Sequence, residues 1–125
     1  MDELIMVETT ESPGIHFNPV TGVLKISGRA IANDINVLYK PLDAWLDEYL
    51  QQPQEITTIE LRLDYVNSMF NKLLFVFLEK SKSVTAKKKK LVIKWFHLPE
   101  DEDSVEDANR ISKIINVQID KIEYE

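Results

Sequence analysis

Few residues in this chain have side chains able to do chemistry, and the one with the most suggestive placement is Ser68. It follows Asn67 where two hydrophobic periods meet. Before it, Ile59, Leu61, Leu63 and Tyr65 alternate with Glu60, Arg62 and Asp64, the period of a strand. After it, Phe70, Leu73, Leu74, Phe77 and Leu78 recur at i, i+3, i+4, i+7 and i+8, one stripe of a helix. A serine at such a junction has two uses. Its hydroxyl can accept an amide of the first helical turn, a cap worth about 1 kcal/mol. It can also take a phosphoryl group, whose charge a helix N-terminus favours. Both uses put the hydroxyl at the surface, and composition alone favours the cap.

Other reactive groupings are thinner. The chain has no cysteine, which removes disulfides, thiolate metal sites and cysteine nucleophiles. Its two histidines, His16 and His97, have no partner identifiable from sequence for general-base work. Its three glycines, Gly14, Gly22 and Gly28, make no phosphate-cradling loop, and no serine sits in a nucleophile elbow. The acidic run 100–107 beside His97 lacks the glycine and ligand spacing of a calcium loop, and reads as a helix N-terminus or a docking surface. Lys80, Lys82, Lys87, Lys88, Lys89, Lys90 and Lys94 are seven of the fifteen basic residues. They lack interleaved aromatics and lie in a chain of net charge −6, so a solvated loop is expected, not a nucleic-acid or membrane patch. No enzymatic activity, metal or cofactor is expected.

The elements that must position Ser68 can be read in order. Leu4–Val7, Ile15–Phe17 and Val23–Ser27 are short strands, the last two joined as a hairpin through Asn18-Pro19-Val20-Thr21-Gly22, with Gly28 ending it. A loop over 29–34 leads to a helical stripe of Leu38, Leu42, Trp45, Leu46 and Tyr49. Pro41 leaves two readings, a helix that starts after Asp34 and kinks, or a short first turn followed by a main helix from Pro41 to Leu50, and the second is preferred. The central strand and helix follow, then a strand 91–96, with Trp95 and Phe96 on opposite faces. A helix through Ala108, Ile111 and Ile114 and a last strand over 117–124 complete the chain. This order predicts a single α/β (α+β) domain over residues 1–125: a mixed, mostly parallel sheet with an N-terminal hairpin and about three helices. Strict alternation in 59–65 predicts that the helices favour one face. The acidic N-terminus and the absence of a long apolar run suggest a cytoplasmic protein. A monomer is expected.

Several segments together resemble a known family. They are Thr10-Glu11-Ser12-Pro13 with Ile15-His16-Phe17; residues 22–29; Tyr39-Lys40-Pro41-Leu42 with Trp45-Leu46 and Tyr49-Leu50; Leu63-Asp64-Tyr65-Val66-Asn67-Ser68 with Lys72-Leu73-Leu74; residues 92–96; and Asp101-Glu102-Asp103. In this order the chain resembles the bacterial SiaC-type regulatory phosphoproteins over roughly residues 8–122. The resemblance implies a fold similar to STAS-type anti-sigma-factor antagonists. It also implies partner switching in biofilm signalling: a cognate serine/threonine kinase and a PPM-type phosphatase control phosphorylation, and the unphosphorylated form binds a diguanylate cyclase. The family's acceptor is a threonine, and the matching position here is Ser68, with Tyr65, Asn67, Met69 and Phe70 as its partner-binding surroundings. Met69 and Phe70 stand where the family has small hydroxyl residues, Val66 replaces an aromatic, Lys87–Lys90 replace a loop glycine, and Ala108 replaces a glycine. The alternative is a constitutive protein-binding scaffold in which Ser68 only caps a helix.

Overall fold

The computed structural model describes residues 1–31 and 34–124. Three strands open the chain: β1 (Leu4–Met6), β2 (Gly14–Asn18) and β3 (Val23–Ala30), paired antiparallel in sequence. The β2–β3 turn is set by Asn18, whose Oδ1 accepts from the amides of Val20 (2.9 Å) and Thr21 (3.2 Å). Gly22 closes it at φ +72°, and a Cβ there would lie 2.6 Å from the carbonyl oxygen of Ile56. From β3 onward all pairing is parallel, through β4 (Ile56–Val66), β5 (Lys90–His97) and β6 (Ile119–Glu123). The sheet order is β1-β2-β3-β4-β5-β6.

Each parallel step crosses over by a helix: α1 (Ile35–Tyr49), then α2 (Ser68–Ser81) with the one-turn α3 (Ser83–Ala86), then α4 (Glu102–Ile115). The strands advance in one direction, so right-handed crossovers put every helix on the same face. α1 packs on α2, and α2 on α4. The core lies between this helical layer and one sheet face. Phe17 sits 5.2 Å from Trp45 and 5.5 Å from Phe77, ring centre to ring centre, and Trp45 stacks on Tyr49 at 5.1 Å. The stripe Leu38, Leu42, Trp45, Leu46, Tyr49 and the stripe Phe70, Leu73, Leu74, Phe77, Leu78 are buried throughout, as their spacing predicts. Among the described residues no helix lies on the opposite sheet face, and Lys25 and Arg62 on it are exposed.

Some expectations need correction. α1 does not restart at Pro41. It is continuous, with Pro41 inside it and Asp34 capping its start by accepting from Asn36 and Val37. The carbonyl deprived of a donor belongs to Val37, a residue 70% exposed, so water can replace the missing bond. β3 does not end at Gly28 but runs on to Ala30, with Gly28 at φ +90° and a register shift between Gly28 and Arg29. Ile114 is exposed, and Ile115 takes the buried place in α4.

The lysine run is only partly solvated. Lys87 Nζ donates to the carbonyls of Leu50 (2.5 Å) and Gln51 (2.9 Å), and Lys89 Nζ to that of Pro53 (2.6 Å). Two cations thus close the C-terminal end of α1, where free carbonyls and the negative end of the helix dipole accumulate. Replacing both Lys87 and Lys89 with methionine is expected to cost about 1–2 kcal/mol in urea unfolding. Lys90→Met, at an exposed side chain, should stay within about 0.5 kcal/mol of the parent.

Candidate functional site

β4 ends at Val66 and α2 begins at Ser68, so one residue, Asn67, makes the whole turn. Asn67 is held at three points. Its amide donates to the carbonyl of Ala30 (3.1 Å), its Oδ1 accepts from the amide of Phe70 (2.8 Å), and its carbonyl accepts from Asn71 (3.0 Å). The cap is therefore Asn67 and not Ser68. Ser68 is the first helical residue, exposed, and its hydroxyl makes no hydrogen bond among the described residues. Among the described residues the amides of Ser68 and Met69, next to that hydroxyl, have no acceptor outside α2. Lys72 stands one turn further along α2 and is exposed.

The other named residues separate. Met69 is 42% exposed, and Tyr65 54%. Phe70 is fully buried and cannot touch a partner: it belongs to the stripe that seats α2 on the sheet. Tyr65 leaves the stripe of Ile59, Leu61 and Leu63 because β4 carries an extra residue. Leu63 pairs with Gly28 but Tyr65 with Arg29, so Asp64 is unopposed. The guanidinium of Arg29 lies 5.9 Å from the centre of the Tyr65 ring.

From Met69 an apolar surface runs along α2. A groove of about 370 Å³ between α1 and α2 is lined by Tyr39, Met69, Lys72, Leu73 and Val76. A second, of about 470 Å³ between α2 and α4, is lined by Phe75, Val76, Ile111 and Ile114 with Asn71, Lys72, Asp107 and Arg110. Lys72 and Val76 border both. The first groove is braced by Tyr39, whose hydroxyl donates to Asp43 (3.1 Å), and by Lys80, which pairs with Asp43 and Asp47. Burial, then the hydrogen bond to Asp43, raises the Tyr39 pKa. Burial alone would lower that of Lys80, but its bonds to Asp43 and Asp47 outweigh this and raise it. The sequence reading missed Tyr39, Val76 and Ile114 as surface. One signal was present: Met69 and Val76, seven residues apart, make a second apolar stripe beside the buried one.

A third hollow, of about 280 Å³, runs beside the end of β4, lined by Leu63, Asp64, Tyr65 and Val66 and by Trp95, Asp101, Asp103, Ser104 and Asp107. Its carboxylates do not converge: among the described residues no three acidic or histidine side chains are placed to hold a metal. Nor is any helix of those residues long and apolar enough to cross a membrane.

The profile of the SiaC family regulatory phosphoproteins matches residues 6–124. The chain belongs to that family. Three solved structures share the fold of this SiaC-family protein. Apo-SiaC from Pseudomonas aeruginosa superposes with a TM-score of 0.86 at 18% identity, covering 98% of this chain and 99% of that one. SiaC bound as activator to the diguanylate cyclase SiaD of the same organism gives 0.89 at 18% identity, covering 97% and 99%. A further Pseudomonas aeruginosa SiaC gives 0.84 at 18% identity, covering 99% and 98%. No curated protein matches the sequence.

The cap assignment predicts an asymmetry between neighbours. Asn67→Ala should lose about 1 kcal/mol in thermal or urea unfolding, whereas Ser68→Ala should change stability by less than about 0.5 kcal/mol. A larger loss at Ser68 would return the capping role to it.

Proposed function

We propose that this protein is a non-enzymatic partner-switching phosphoprotein whose switch is Ser68. A cognate serine/threonine kinase phosphorylates it, a PPM-type phosphatase reverses this, and the unphosphorylated form docks on a diguanylate cyclase, modulating biofilm-related cyclic dinucleotide signalling. The observation that carries the reading is the exposed, uncommitted hydroxyl of Ser68 next to Met69, at the head of an apolar groove. Membership in a regulatory phosphoprotein family and a shared fold with a cyclase-bound activator support it.

The energetics suit a switch that changes partners without changing shape. Phosphate adds about −1.5 to −2 charges. The N-terminus of α2, with the amides of Ser68 and Met69 free, favours that charge by about 0.3–1 kcal/mol, so the fold survives. A partner resting on Met69, Tyr65 and the groove would have to bury the same phosphate unpaired. A penalty of about 3 kcal/mol there lowers affinity about a hundredfold.

Phosphopeptide mapping of protein isolated from its host is expected to place phosphate on Ser68. In binding assays with the cyclase, Ser68→Ala should bind like the parent and Ser68→Asp at least about tenfold more weakly. Equal binding by all three would leave a constitutive scaffold as the function. If the groove is the docking surface, Val76→Asp should also abolish binding while leaving the melting temperature within a few degrees of the parent.

A further inference from the structure

The sheet face that bears no helix carries a charge pattern that the switch does not use. The register aligns Lys25 of β3, Glu60 of β4, Lys94 of β5 and Asp120 of β6 in one row across four adjacent strands. The chain neighbours of these residues (Leu24, Ile26, Ile59, Leu61, Ile93, Trp95, Ile119) are buried under the helices, so the row lies on the opposite, open face. Its order is plus, minus, plus, minus. Among the described residues no ion pair within 4 Å links these side chains to one another. Beside it runs a second row, Ser27, Arg62, Phe96 and Ile122, in which Phe96 and Ile122 are only half-buried.

An alternating row of even length is antisymmetric about its centre. Two copies placed face to face around a two-fold axis parallel to the strands put Lys25 opposite Asp120 and Glu60 opposite Lys94, twice each. The second row then brings Phe96 against Arg62 of the other copy, whose guanidinium already lies over the Tyr124 ring of its own chain, 4.1 Å from its centre. A two-fold axis along the row would instead oppose every charge with itself. We propose that the open sheet face is the interface of a homodimer of this chain, built on the first of these arrangements.

The geometry tolerates sheet twist. Facing sheets pack at about −30° to one another. The outer charges lie about 7 Å from the axis, so that angle displaces them by about 4 Å, within the reach of a lysine stem. Around that axis only β3–β6 of the two copies face each other, a patch of roughly 19 by 20 Å that buries about 800 Å² in total, the size of a weak, transient interface. A dissociation constant of about 10–100 μM is expected. Ser68 and the grooves lie away from this face, so the dimer would present two of them, one on each outer side.

Sedimentation velocity of the full chain from about 1 μM to about 1 mM tests this. A dimer fraction that rises with concentration and falls with added salt is expected. Lys25→Glu and Asp120→Lys alone should each weaken dimerisation at least about tenfold, while the double variant returns to within about threefold of the parent. The double variant discriminates, because within one sheet it puts like charges side by side. The new carboxylate on β3 would neighbour Glu60, and the new ammonium on β6 would neighbour Lys94. Glu60→Lys with Lys94→Glu gives the same logic at the centre of the row. A monomer at all concentrations, a dimer insensitive to these changes, or doubles no better than the singles would overturn the proposal. Because the assay reads no phosphate and no cyclase, its failure leaves the Ser68 switch standing, and the converse also holds.

Discussion

The structure depends on the handedness of three crossovers. A strand that feeds a helix and returns parallel must turn right-handed, and here the three such units step across the sheet in the same direction. All three long helices therefore fall on one side. The sheet is consequently one-sided, with Phe17, Leu61 and Trp95 under the helices and Lys25, Arg62 and Phe96 away from them. A doubly wound arrangement of the same elements would have buried both faces and demanded continuous apolar strands. The strict alternation of β4 is the imprint of this constraint, and the two unlike surfaces of the protein are its outcome.

The same constraint fixes where chemistry can be displayed. In parallel units the strand ends and helix starts share one edge of the sheet, so free amides and the positive ends of helix dipoles collect there. At this edge Asn67 takes over the capping duty and is tied to β3 through Ala30. Ser68 is left with a hydroxyl that nothing in the fold requires. A residue free of structural duty can be modified at little cost to stability, which is what a reversible switch needs. Two residues on, Phe70 is fully buried and anchors the first turn of α2 independently of that hydroxyl.

Much of this was legible in the sequence, because periodicity reports burial. The alternation of β4 and the stripes of α1 and α2 gave the elements, their buried faces and the one-sided sheet. What escaped depended on contacts distant in sequence or on single backbone details. Pro41 could sit inside α1 because the carbonyl it orphans, that of Val37, lies on an exposed turn; sequence does not display solvent access to a carbonyl. Lys87 and Lys89 found acceptors some 36 residues away, at the end of α1. The extra residue at Asp64, which turns Tyr65 off its stripe, is invisible without the register of β3. At the site itself the sequence located the Asn67-Ser68 junction but could not say which of two capping residues caps. It also placed Phe70 at the surface, although the helical stripe had already assigned it to the core.

The mounting of Ser68 also limits what kind of enzyme can reach it. Kinases commonly thread their targets through the catalytic cleft as an extended strip of several residues. Here the residues just before Ser68 are paired with β3, the pairing with β5 having ended at Arg62, and those after it are wound into a helix anchored by Phe70. Pulling this stretch straight would mean stripping the end of β4 from β3 and unwinding the first turn of α2, with Phe70 drawn out of the core. Any enzyme that transfers phosphate to or from Ser68 must therefore accept a protruding corner on a rigid body. Its specificity is then written in the three-dimensional outline around that corner rather than in a linear consensus.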